Sequence, residues 1–179
     1  MRLFVGIPLP EPCHQKLIDL QNQLRPLIKR GRLTSPNLFH MTLLFIGEVD
    51  EKNLESIKHA LKIHLQSYAS FDLELGDLGT FQKGMESIIW IGLKYTPPIL
   101  SDLAKHVRKS IDSVGILSSD SAFKPHITLG RQLVFHQKDV VQSSHSSAQT
   151  FRVDVVHLYL SHQIDGRLTY TPLETYHLS

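Results

Sequence analysis

Two stretches of the chain, His40-Met41-Thr42-Leu43 and His126-Ile127-Thr128-Leu129, repeat one alternation of polar and apolar residues although nearly half the sequence separates them. An alternation of period two belongs to a strand, where residues i and i+2 share a face about 6.6–6.8 Å apart. His40 and Thr42 therefore point one way and Met41, Leu43 and Phe45 the other, toward covering helices. His126 and Thr128 likewise oppose Ile127 and Leu129. The chain must accordingly hold two strands, remote in sequence, each with one buried face and one face carrying an imidazole and a hydroxyl.

The segments around these strands alternate between the two periodicities. Leu3, Val5 and Ile7 mark a first strand ended by Pro8 and Pro10. Leu17, Leu20 and Leu24 give a helix from Glu11 to about Arg25, and Leu54, Ile57, Leu61 and Leu65 a second from Glu51 to Gln66 with Asp50 as its N-cap. Pro97-Pro98 opens a third helix through about Val114, with Leu100, Leu103, Val107 and Ile111 on one face. Phe71 to Leu75 and Ser87 to Leu93 read as strands joined through the Gly76 to Gly84 region, and Phe123 to Gly130 as another short strand. Lys29-Arg30-Gly31-Arg32 and Ser35-Pro36-Asn37 read as a basic, turn-like stretch, and the Ser-rich 142–149 region as an exposed loop. Phe151 to Ser161 and Leu168 to Thr175 form a pair of strands about the Asp165-Gly166 turn. The sum is a mixed α+β chain with helices covering one side of each sheet.

A length of 179 residues with 41% hydrophobic and 20% charged residues suits one compact soluble domain, or two small lobes sharing a core. A formal net charge of +2 is too small for a surface that wraps a polyanion, so any anion must be held locally. The lone cysteine, Cys13, rules out an intramolecular disulfide framework and fits a reducing compartment. The N-terminus lacks a long apolar h-region, and no stretch reaches the ~18–20 apolar residues of a membrane span, so a cytoplasmic protein without a membrane partner is expected.

Eleven histidines are the compositional oddity, and histidine is the side chain that titrates near neutrality. Two imidazoles facing one cleft can divide a phosphodiester displacement between them: a neutral ring takes a proton from the attacking water, and a protonated ring gives one to the departing alkoxide. The two threonine hydroxyls are suited to hold non-bridging phosphate oxygens and fix the phosphorus between the rings. Metal binding is the rival use of paired histidines, but it needs three or four ligands, and neither H-E-x-x-H nor clustered Cys/His spacing occurs. The other histidines are scattered without a shared pattern. A P-loop, a dinucleotide glycine motif and a G-x-S-x-G elbow are all missing.

The chain resembles the two-histidine phosphoesterases, in particular the bacterial RNA 2′,3′-cyclic phosphodiesterases also called 2′-5′ RNA ligases. The likeness rests on the initial Arg-Leu-Phe-Val-Gly-Ile strand, on Asn37 to Glu48 and Phe123 to Arg131 around the two motifs, and on Tyr170-Thr171-Pro172-Leu173. It implies a bilobal α+β fold with pseudo-twofold symmetry, two antiparallel sheets with helices on their outer faces, and a central cleft. It also implies that residues 1–179 form a single two-lobed catalytic domain. Under the resemblance His40 is the proton donor and His126 the proton acceptor, though the direction could reverse, and Thr42 and Thr128 bind phosphate oxygens. The reaction implied opens an RNA 2′,3′-cyclic phosphate to a 2′-phosphate without metal or other cofactor. A 5′-hydroxyl in place of water would give 2′-5′ ligation.

Arg131 matches the family pattern five residues beyond the second histidine and suits a phosphate by charge and fork geometry. Strict alternation turns it away from the cleft, and Gly130 is the residue that could bend the strand and restore it. Lys29, Arg30 and Arg32 could steer RNA or be a solvated loop, and Phe45 and Tyr170 could stack on a base or pack in the core. The expected partner is RNA with a cyclic-phosphate end, or a small cyclic nucleotide, acted on by a monomer. A protein that binds RNA ends without turnover is the reading from another class; it predicts salt-sensitive binding and no product.

Overall fold

The computed structural model describes residues 1–117, 122–136 and 148–179. Its strands are β1 (Arg2–Pro8), β2 (Ile28–Leu33), β3 (His40–Glu48), β4 (Phe71–Lys83), β5 (Glu86–Leu93), β6 (Ile127–Phe135), β7 (Thr150–Val153), β8 (Val155–Ile164) and β9 (Arg167–His177). The α-helices are α1 (Glu11–Leu24), α2 (Leu54–Leu65) and α3 (Pro98–Ser113). The expected α+β class is what the structure has.

All strand pairs are antiparallel, in the order β7-β4-β5-β6-β3-β1-β8-β9, with β2 also paired to β6. One half of this sheet, β3-β1-β8-β9, is made from the first and last parts of the chain. The other, β7-β4-β5-β6 with β2, is made chiefly from the middle. Among the described residues the halves are joined between β3 and β6 by one paired position, Met41 opposite Ile127. Beyond it, β2 takes over the same edge of β6, from Leu33 opposite Gly130 to Ile28 opposite Phe135. The seam lies between the two histidine motifs.

The leucine stripes that define the helices are also what they bury. Leu17, Leu20 and Leu24 of α1, Ile57, Leu61 and Leu65 of α2, and Leu100, Leu103, Val107 and Ile111 of α3 are nearly or wholly inaccessible. Each such side chain contributes roughly 1.5–3 kcal/mol of transfer free energy. Helices α2 and α3 pack on each other, α3 also against β3 and α2 against β9. Helix α1 is tied to the other half through the buried Gln21, whose Nε2 donates to the carbonyls of Thr34 (2.7 Å) and Leu129 (2.8 Å). Among the described residues no helix is long and apolar enough to cross a membrane.

Four expectations change. The basic stretch Lys29–Arg32 is not a turn but part of the exposed strand β2, whose charges are those of a sheet edge protected from further pairing. Asp50 makes no side-chain cap; it precedes a 3-10 turn, Glu51–Asn53, and pairs with Lys52 at 3.4 Å, so α2 begins only at Leu54. Strand β4 continues through most of the expected Gly76–Gly84 connection, with a register shift between Leu75 and Leu78. Phe151–Ser161 is two strands, because the chain leaves β4 at Val153, crosses between the halves at Asp154, and pairs with β9 from Val155 and with β1 from His157. In the expected Ser-rich loop, 142–147 lie outside the described residues, and Ala148 and Gln149 form no helix or strand.

Candidate active site

The antiparallel register of Met41 with Ile127 dictates the arrangement of the polar face. Continued one step along each strand, that register puts His40 abreast of Thr128, and continued one step the other way it puts Thr42 abreast of His126. The histidines thus occupy one diagonal and the threonines the other, all on the face opposite the fully buried Met41 and Ile127. His126 stands one residue before β6 instead of within the expected Phe123–Gly130 strand, since Phe123 to His126 lie in irregular chain.

Both rings are anchored in the same way. His40 Nδ1 donates to the carbonyl of Leu38 at 2.8 Å, and His126 Nδ1 donates to the carbonyl of Lys124 at 2.6 Å, each two residues upstream. A carbonyl only accepts, so the proton of each neutral ring sits on Nδ1 and Nε2 is the reactive nitrogen. The Thr42 hydroxyl donates to His40 Nε2 at 2.9 Å.

Aromatic walls orient the rings. His40 lies 4.8 Å from the ring centroid of Phe4, 5.1 Å edge-on from that of Tyr170 and 6.2 Å from that of Tyr159. His126 meets Phe81 edge-on at 5.3 Å and Trp90 at 6.0 Å. Gly6 makes room for the first ring: a Cβ there would sit 3.4 Å from His40 Cδ2 and 3.0 Å from the Met41 carbonyl. Sequence reasoning misses Phe4, Tyr159, Phe81 and Trp90. A signal exists only for Phe4, which shares the Gly6 face of β1 on the strand that pairs with β3. Tyr170 proves to be a wall of the His40 pocket. Phe45 packs under the Arg2 guanidinium at 5.0 Å and lines a cavity of about 450 Å³ with Thr42, Phe81, Phe123, Lys124 and His126.

Arg131 is on the cleft side. Its Nη2 donates to Thr128 Oγ1 at 3.5 Å, and its charge acts on both imidazoles. Alternation fails because β6 is irregular on both sides of Gly130. Thr128 and Gly130 face the adjacent Trp90 and Ile89, which leaves Leu129 as an extra residue, and Gln132 adopts a left-handed φ of 55°.

Burial drives the His40 pKa down to about 4. The Leu38 carbonyl bond opposes this shift, and the charges of Arg131 and His126 add to it. His126 is also lowered, first by burial and then by Arg131, against the Lys124 carbonyl. Both rings are therefore neutral at pH 7. Among the described residues no group of three or more His, Cys, Asp or Glu side chains is arranged to hold a metal ion.

The 2′-5′ RNA ligase superfamily pattern matches residues 22–167. The chain belongs to this superfamily. Over 181 residues it is 29% identical to the RNA 2′,3′-cyclic phosphodiesterase of Escherichia coli, covering 99% of this chain and 97% of that protein. The Thermus thermophilus protein of the same description is 32% identical over 142 residues, covering 74% of this chain and 69% of that one. The fold matches the crystal structure of E. coli LigT in apo form with a TM-score of 0.84 at 28% identity, and LigT complexed with 3′-AMP with a TM-score of 0.84 at 27% identity. Each match covers 99% of this chain and 97% of the other.

Proposed function

We propose that this superfamily member is a cyclic phosphodiesterase that hydrolyses the 2′,3′-cyclic phosphate at an RNA end to a 2′-phosphate, with His126 as base and His40 as acid. The oxygen of a water attacks phosphorus as His126 Nε2 takes its proton. The bond from phosphorus to O3′ breaks, and His40 Nε2–H gives its proton to that oxygen, leaving a 3′-hydroxyl and a 2′-phosphate. Thr42, Thr128 and Arg131 hold the non-bridging oxygens and balance the charge that builds on them. The observation that carries this reading is the diagonal set by Met41 and Ile127, with both Nδ1 atoms committed to carbonyls so that proton transfer falls to Nε2 of each ring.

An acid whose pKa is about 4 must gain its proton with the substrate. The phosphate supplies the reason, because a negative charge between the rings favours their protonated forms. A 5′-hydroxyl replacing the water would undergo the same steps and form a 2′-5′ linkage. We read the chain as a single two-lobed catalytic domain acting as a monomer in the cytoplasm, and its reaction as needing no metal.

The deciding experiment incubates RNA bearing a 2′,3′-cyclic phosphate with purified protein in excess chelator and asks which hydroxyl keeps the phosphate. A 2′-phosphate is expected. No turnover, a 3′-phosphate, or activity lost to the chelator and restored by zinc overturns the reading.

A further inference from the structure

Arg131 and Arg32 stand directly opposite each other in the β2/β6 pair. Like charges opposed across an antiparallel pair repel. Among the described residues neither guanidinium is ion-paired: Arg32 Nη2 donates to Gln132 Oε1 at 3.1 Å and Arg131 Nη2 to Thr128 Oγ1, whereas Arg30 one step along is matched by Glu86 at 3.2 Å. The two unmatched cations are carried by register partners, Arg131 on the strand at the catalytic cleft and Arg32 on the strand next to it.

Their mounting is unusually firm for an exposed charge. Gly31 has φ +118° and lies so close to the Gln132 carbonyl and Leu133 Cα that no side chain fits, which presses β2 onto the irregular part of β6 beside Arg32. Below Arg32, the Leu129 carbonyl accepts from both Thr34 N (2.8 Å) and the buried Gln21 Nε2. The backbone on either side of the guanidinium is thus held by bonds and contacts that a merely solvated loop would not have. Repulsion between two braced cations is relieved when a polyanion lies across them, and a strand that places one phosphate at Arg131 carries its next phosphate outward.

We propose that Arg32 binds the first phosphodiester upstream of the cyclic phosphate, so that the site reads an RNA strand of two or more nucleotides in preference to a cyclic mononucleotide. This rests on the hydrolase reading above. Strand β2 is then a binding edge that extends the catalytic cleft along the RNA backbone.

The test compares Arg32→Gln with wild type on a 2′,3′-cyclic mononucleotide and on a dinucleotide with the same cyclic end. On the dinucleotide, kcat/KM falls by about five- to fiftyfold, as for loss of a charge-assisted phosphate contact. Its dependence on log salt becomes shallower by about 0.7, the single-strand value for one phosphate contact. On the mononucleotide, kcat/KM and its pH profile stay unchanged. Equal losses on both substrates, or none on the dinucleotide, overturn the proposal while leaving the hydrolase reading intact. Wild type that turns over neither substrate overturns the hydrolase reading itself, and this proposal with it.

Discussion

Met41 and Ile127, both fully buried, face each other across the seam of the sheet, and each is immediately preceded by one of the two histidines. Ile127→Ala removes buried volume where few backbone bonds cross between the halves. The expected cost is about 2–5 kcal/mol of stability, read by urea denaturation. Activity should fall further than the folded fraction does, because a shift of about 1 Å between catalytic groups can cost 10²-fold. A variant that is destabilised yet fully active per folded molecule would show that the seam does not set the distance between the rings.

Replacing either ring removes a proton-transfer partner without opening the core. His40→Ala and His126→Ala should each lower the rate of cyclic-phosphate hydrolysis by about 10²–10⁴-fold, with far-UV dichroism unchanged. Retention of more than a tenth of the wild-type rate in either variant contradicts the assignment.

The pH profile follows from the direction of the two shifts. Lowered pKa values mean that the protonated ring needed as acid persists only on the acid side, so kcat/KM, which reports the free enzyme, should peak below pH 6.5. Bound phosphate raises the ring pKa values, so kcat should peak at higher pH than kcat/KM. Arg131 lowers both rings, and Arg131→Gln should therefore move both limbs of the kcat/KM profile toward higher pH while raising KM. Limbs that stay in place would mean the guanidinium does not reach the rings in solution.

Gly79→Ala tests the wall of the second ring. A Cβ at Gly79 would collide with the six-membered ring of Trp90, which lies edge-on to His126. The indole must shift, and activity should drop by about tenfold or more. The chain has a single tryptophan, so intrinsic fluorescence reports that movement directly. An unchanged emission spectrum with unchanged activity would show that Trp90 does not orient the imidazole.

Much of this arrangement is legible in the residues. The doubled His-x-Thr alternation gives both reactive faces, and the leucine stripes give the three helices, because both patterns depend on local periodicity. Strand β2 escapes such a reading because Lys29, Arg30, Gly31 and Arg32 carry no apolar alternation; its strand character comes from pairing with β6. The side on which Arg131 emerges depends on an extra residue at Leu129 and a left-handed Gln132, neither of which has a signature in one sequence. The aromatic walls come from β1, β4, β5, β8 and β9, and only the folded topology brings them to the two rings.

The interleaving of the halves bears on biosynthesis. A nascent polypeptide that has emerged as far as β6 already contains both imidazoles, but β1 and β3 still lack β8 and β9, which supply Tyr159 and Tyr170. Competence therefore waits until the ribosome has delivered β8 and β9, and a polypeptide released before them carries both imidazoles but leaves the first without its tyrosine enclosure.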